Sequence, residues 1–358
     1  MVVRLARGSL ASRVDEVFAA LALGRSRRSR ARSRAESLDH AERMETLGAL
    51  GALHAGPPFD GPPEVFFGSA GARGSWEEQH VRALPGGRVI DVRWRSAYDP
   101  ASSDPEVRRR YLAPAPNEWA AARLWLHDRP RPAAILIHGY LGGSYRVEER
   151  AWPVRWMFER LGLDLAIPVL PFHGPRGVRG KRPLFPSSDP RLNVEGFRQA
   201  MWDLISLRRA LMERGAEAVG AMGMSLGGYT TALAMTADRE LAFGVPMIPL
   251  ASIADFARDA GRLVGSEDEQ RAQHAALEQA HWPVSPFARP ACVDRARLLI
   301  LAGEADRITP ASHAERLAAH FGARVRVFPG GHLLQFGRAE GFREVARMLR
   351  GLELLQPR

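Results

Sequence analysis

Apolar and polar residues change rhythm along this chain in a repeating way. Short apolar runs of strand length fall at 121–127, 133–137, 165–170, 217–222 and 296–303, with a more mixed run at 324–328. Between them, apolar residues recur at the three-to-four spacing of helices, most clearly over 228–235, 311–321 and 340–352. Runs without a polar face suit strands covered on both sides. The alternation of strand, helix and strand therefore predicts a mainly parallel sheet between two helical layers. Upstream, runs at 79–84 and 89–94 flank Pro85-Gly86-Gly87-Arg88 and read as a hairpin.

One junction in this pattern carries chemistry. Gly223-Met224-Ser225-Leu226-Gly227 joins the apolar run ending at Met222 to the helical stretch beginning at Gly228. A serine between two glycines where a strand turns sharply into a helix has the form of a nucleophile elbow. The glycines remove Cβ atoms that would collide with strand and helix, and Ser225 is presented near the positive end of the helix. Downstream, Asp306 follows the run 296–303 and His332 ends the glycine-rich Pro329-Gly330-Gly331 loop after 324–328. Both lie past strand ends, where functional groups collect in open α/β sheets. Their chemistry is complementary: an imidazole can take the serine proton and return it to a leaving group, and a carboxylate can fix its tautomer. Read in isolation, Asp306 is a helix cap and His332 a loop histidine.

With His138-Gly139 after the run 133–137, the Gly223–Gly227 elbow, Gly303-Glu304-Ala305-Asp306 and Gly331-His332, the chain from about residue 123 to 355 resembles the α/β-hydrolase superfamily. It is most similar there to bacterial esterase-like members related to the dienelactone-hydrolase and prolyl-oligopeptidase-like groups. The resemblance implies an α/β-hydrolase fold and a catalytic triad of Ser225, Asp306 and His332. It also implies an oxyanion hole made by the backbone N–H groups of Tyr140 and Leu226, with Leu141 the next candidate. His138 reads as a brace for its loop.

The loop after 165–170 departs from the pattern. It is long and basic, running from Pro171 through His173, Arg176, Arg179, Lys181 and Arg182 to Pro190. His138, His173 and Leu141 are candidates for the substrate pocket, and the cations could steer an anionic substrate. Loop histidines and arginines also occur simply satisfied or solvated. About 45 residues separate the strand ending near Leu250 from the one starting near Arg297, too many for a plain crossover. A helical lid is expected over 251–290, with Met247, Trp282 and Phe287 lining a pocket or packing in the core.

Composition narrows the class. At 358 residues and 46% hydrophobic, the chain can bury a large core. The formal charge of +10 comes from arginine, Lys181 being the only lysine, which is a compositional bias rather than a nucleic-acid signature. Cys292 is the only cysteine, so no intrachain disulfide forms, and a reducing cytoplasm fits. No metal-ligand spacing and no cofactor motif is visible, and no apolar run approaches the ~20 residues of a membrane span.

Residues 1–63 read as a basic extension, helical or partly disordered, and 64–358 as the catalytic domain. An amphipathic helix can be drawn over 9–23, with Val14, Phe18, Leu21 and Leu23 among its apolar positions and Asp15 and Glu16 interrupting it. No secretion signal is expected. The stretch from Arg25 to Arg34 holds six arginines, suited to weak association with an anionic membrane. No specific nucleic-acid partner is expected, and the location is cytoplasmic or peripheral to a membrane. As a solvated tail, residues 1–35 should be dispensable for turnover of soluble esters. The combined expectation is a serine hydrolase cleaving a small-molecule or lipid ester through an acyl-enzyme. A peptidase or amidase with the same triad, and a silent binding protein on a hydrolase scaffold, are the alternatives.

Overall fold

The computed structural model describes residues 8–17, 40–54, 61–68 and 76–355. Among them, β1 (Glu77–Leu84), β2 (Gly87–Arg95), β3 (Trp119–His127), β4 (Ala133–Ile137), β5 (Asp164–Pro168), β6 (Val219–Met224), β7 (Gly244–Met247), β8 (Leu299–Gly303) and β9 (Arg324–Phe328) form one sheet. Their order across it is β1-β2-β3-β5-β4-β6-β7-β8-β9. From β5 to β9 every pairing is parallel, while β1, β2 and β3 add an antiparallel edge through the expected hairpin. The central strands are apolar because both faces are covered. On β4, Ile135 and Ile137 join one buried cluster with Phe197 and Tyr229, and Ala134 and Leu136 join the other with Trp152 and Phe342. Alternation of side chains across the sheet makes two cores from one five-residue run.

The helices are α1 over residues 8–17, α2 (His40–Leu53), α3 (Pro63–Phe67), α4 (Pro105–Leu112), α5 (Tyr145–Ala151), α6 (Pro190–Glu213) and α7 (Leu226–Ala237). They continue as α8 (Ile253–Asp259), α9 (Glu267–Ala280), α10 (Ala311–Phe321) and α11 (Arg338–Gly351). The long α6 starts where Asp189 caps the Arg191 N–H and Pro190 occupies its first turn. A Ser266–Glu269 capping box starts α9. Parallel strands all leave the sheet at one edge. The loops after β4, β5, β6, β7, β8 and β9 therefore gather on one side of the molecule, and this fixes where chemistry can assemble.

Strand positions agree with the sequence pattern apart from short shifts at their ends. The start of β8 moves to Leu299 because Arg295–Arg297 form a single tight turn. The N-terminal region differs more. Its described parts are helical and docked: α2 lies along α9, with His54 Nδ1 donating to Ala280 O at 2.8 Å and Arg43 donating to Arg262 O at 3.1 Å. The arginines from Arg25 to Arg34 lie outside the described residues.

The basic loop after β5 is also not uniformly solvated. Arg176 is buried, 2.8 Å from the Asp203 carboxylate, and donates to Val169 O and Asn117 O at 2.9 and 3.3 Å. Its charge is spent on pinning the loop to α6 rather than on steering a ligand. Arg176→Ala leaves Asp203 buried and uncompensated, and breaking such pairs costs ~3–5 kcal/mol. A urea-unfolding midpoint equal to that of the wild type would show that the pair contributes nothing.

Candidate active site

Ser225 sits between β6 and α7 with φ 57° and ψ −114°, a conformation a non-glycine residue holds only under constraint. Such strain costs on the order of 1–3 kcal/mol. The constraint is close packing. A Cβ on Gly223 would lie 2.0 Å from Gly227 O, and one on Gly227 would lie 2.2 Å from Ile137 O. Strand β6, helix α7 and the neighbouring strand β4 thus approach nearer than any side chain permits. The Ser225 N–H donates to Met247 O at 3.0 Å, tying the elbow to β7.

Past β8, Asp306 is buried, and its Oδ1 accepts the N–H groups of Ile308 and Thr309, each at 2.8 Å. Its Oδ2 lies 2.8 Å from His332 Nδ1. Burial alone would lower the His332 pKa, but the charge and hydrogen bond of Asp306, with a smaller contribution from Asp15, outweigh it and raise the value. Asp306 thus holds the ring with Nδ1 protonated and Nε2 directed elsewhere. Ser225 and His332 line one cavity of about 330 Å³, with no direct hydrogen bond between hydroxyl and ring. Such bonds are often loose before a substrate binds.

The loop after β4 supplies another wall of that cavity through His138, Gly139 and Tyr140. Buried His138 braces it: Nδ1 donates to Gly139 O at 2.7 Å, and Nε2 accepts the Leu170 N–H at 3.0 Å. Burial pushes its pKa down to about 4, so the ring stays neutral and structural. The main-chain N–H groups of Tyr140 and Leu226 both belong to cavity-lining residues, and Leu226 opens α7, where N–H groups have no intrahelical acceptor. Leu141 adopts φ 65° and turns into solvent, away from the cavity wall. His173 lies behind the wall rather than on it. It is fully buried against His138 and Tyr140, donates from Nδ1 to Pro171 O at 2.9 Å, and has its pKa pushed down to about 3, chiefly by burial.

The stretch expected to form a lid folds as α8 and α9, and α8 contributes Ile253 and Phe256 to the cavity beside Ile248, Leu250 and Leu333. Met247, Trp282 and Phe287 do not line it, Met247 being buried in the core. Arg182 from the basic loop does reach the cavity. Asp255 on α8 and His274 and Glu278 on α9 cluster together, but Arg316 pairs with both carboxylates, and Arg258 also pairs with Asp255.

Comparison with known proteins places this geometry. Residues 198–349 match the prolyl oligopeptidase family, Peptidase_S9. An acetyl xylan esterase from Paenibacillus sp. R4 superposes with a TM-score of 0.55 at 16% identity, covering 86% of this chain and 99% of that one. Acetyl xylan esterase 1 from Thermoanaerobacterium sp. JW/SL YS485 does so with a TM-score of 0.54 at 16% identity, over 86% and 98%. The chain has the α/β-hydrolase fold. An uncharacterized protein of Mycobacterium tuberculosis is 31% identical over 243 residues, 66% of this chain and 58% of the relative, so this chain spans less than two thirds of that protein's length. The family match covers less than half of this chain, and the structural likeness shows the fold.

Two residues of this site were not singled out from sequence for any role in it. Thr309 Oγ1 lies 3.1 Å from both Asp306 Oδ2 and His332 Nδ1 and 3.0 Å from Ile248 O, locking Asp306 and His332 to the loop after β7. An Asp followed three residues later by Thr was the available signal. Asp15 on α1, an apparent interruption of an apolar face, is fully buried against the loops carrying Asp306 and His332. On α1, Ala11 and Asp15 are buried and Ser12 is hydrogen-bonded to Ala305 O, so this is the face that docks. This corrects the expectation of a solvated tail for these residues. No sequence signal pointed to it.

Three buried histidines make stability pH-dependent. His138, His173 and His281 have pKa values pushed down to about 4, 3 and 4, mainly by burial. The unfolded chain protonates these rings from about pH 6.5 downward, whereas the folded chain resists until near 4. Unfolding therefore takes up protons in that window, and stability is lost as pH falls through it. Urea midpoints should decline steadily from pH 6.5 to 4; a flat profile would mean the rings are not held neutral.

Proposed function

We propose that this protein is a serine hydrolase that cleaves carboxylic esters through an acyl-enzyme at Ser225. The observation that carries the reading is the strained Ser225 backbone opening into the same cavity as a His332 ring paired with buried Asp306. In this reading His332 Nε2 accepts the Ser225 proton as Oγ attacks the substrate carbonyl. The N–H groups of Tyr140 and Leu226 receive the developing oxyanion, a contribution worth ~2.7–4 kcal/mol per donor in comparable sites. His332 then protonates the leaving alcohol, and a water repeats the cycle on the acyl-enzyme. Asp306 and Thr309 keep the imidazole in one tautomer throughout.

The apolar wall of Ile248, Leu250, Ile253, Phe256 and Leu333 favours an acyl group over a charged chain end. The match to the prolyl oligopeptidase family supports a second reading, cleavage of an amide by the same steps. p-Nitrophenyl esters of graded acyl length, assayed beside anilides of the same acids, separate the two. Turnover of anilides without esters would reject the ester reading.

Ser225→Ala should abolish both ester turnover and labelling by a fluorophosphonate probe, and Asp306→Asn should lower kcat by about 10⁴. A labelled Ser225→Ala protein would place the nucleophile elsewhere. Because His332 must be neutral to act as base and its pKa is raised, kcat/KM should fall with decreasing pH through a value above the ordinary histidine range. An acidic limb centred below about 6.5 would contradict the pairing with Asp306.

A further inference from the structure

The two loops that carry the acid and the base are joined by a residue nearly 300 positions earlier in the chain. Asp15 Oδ2 accepts the His332 N–H at 2.7 Å and the Arg307 N–H at 3.3 Å, and Oδ1 accepts the Leu333 N–H at 2.9 Å. One carboxylate therefore spans the main chain of the base and of the residue directly after the acid. Ser12, one turn earlier on α1, donates to Ala305 O at 3.0 Å on the same acid loop. Gly331 has the space of a glycine because Asp15 needs it: a Cβ there would lie 2.5 Å from Asp15 Oδ2 and 3.1 Å from Ala11 Cβ. Asp15 and Ala11 are both fully buried in this contact.

Burying a carboxylate without a cationic partner is costly, and a purely structural contact between a helix and two loops could be made with apolar side chains. Here the side chain offers its lone pairs to three main-chain N–H groups, an arrangement that sets loop position closely and places negative charge near the imidazole. At the His332 ring itself, Nδ1 meets the Asp306 carboxylate and the Thr309 hydroxyl.

We infer that Asp15 is a positioning residue for the reaction: it clamps the acid and base loops in register, so that the N-terminal helix is part of the working site. The inference rests on the hydrolase reading for its effect on rate, but the clamp itself can be read without turnover. A misplacement of about 1 Å in a catalytic group can cost ~100-fold.

The test compares full-length wild type, Asp15→Ala and Asp15→Asn by kcat and KM on a soluble ester and by amide hydrogen exchange over residues 331–334, with thermal unfolding to confirm that each chain is folded. The expected result is a ~10- to 100-fold loss of kcat in Asp15→Ala, with KM changed less because most of the cavity wall lies on other elements. Asp15→Asn should fall between, since its amide nitrogen cannot accept from the second loop, and exchange over 331–334 should quicken in both. Should Asp15→Ala fail to fold, Asp15→Asn, nearly identical in shape, carries the test. An active wild type with unchanged kcat in the folded variants would overturn the positioning role. A wild type that neither turns over esters nor reacts with a fluorophosphonate would reject the hydrolase reading instead. The clamp would then stand or fall on exchange alone: faster exchange supports it, and equal exchange overturns it.

Discussion

Between Met224 and Leu226 the main chain must reverse from strand to helix in a space with no room for a Cβ on either side. Gly223 and Gly227 permit strand β6, helix α7 and strand β4 to close on one another, and the residue left at the apex is forced into positive φ. The surroundings over-determine that strain, which is why it persists. Other parts of the site take their place from this contact. The loop after β4 packs beside the elbow, the end of β7 is hydrogen-bonded to it, and α8 lines the cavity it opens.

The histidines show how position converts one side chain into different devices. Among the described residues no carboxylate is hydrogen-bonded to the buried rings of His138 or His173, so burial prevails and the rings remain neutral scaffolding. His332 is buried as well, but Asp306 stands at its Nδ1 and Asp15 adds a smaller contribution, so its pKa is raised instead. A ring that gains a proton readily suits a base. Rings that refuse one suit a brace, since protonating His138 would abolish its acceptance of the Leu170 N–H.

The N-terminal region ties these parts together. The α2 helix lies on α9, while α1 meets the loops bearing Asp306 and His332. A segment whose composition reads as a basic appendage therefore touches both α9 and the main chain that carries Asp306 and His332. Arg176 follows the same logic in reverse: a residue in a basic run, counted as surface charge by its neighbours in sequence, is buried and paired with Asp203.

The sheet, its mainly parallel order and the elbow were legible from residue patterns alone. Apolar runs of strand length, helical spacing and paired glycines are local signals, set by residues within a few positions of one another. So were the positions of Ser225, Asp306 and His332, because parallel strands deliver the following loops to one edge. The docking of α1, the roles of Asp15 and Thr309, and the retreat of His173 behind the cavity wall were not. Each depends on contacts between segments distant in sequence. A carboxylate on a short helix carries no mark of whether it faces water or the amide groups of a loop some 300 residues later, and only the packed chain, in which burial and hydrogen bonding are settled together, makes that choice.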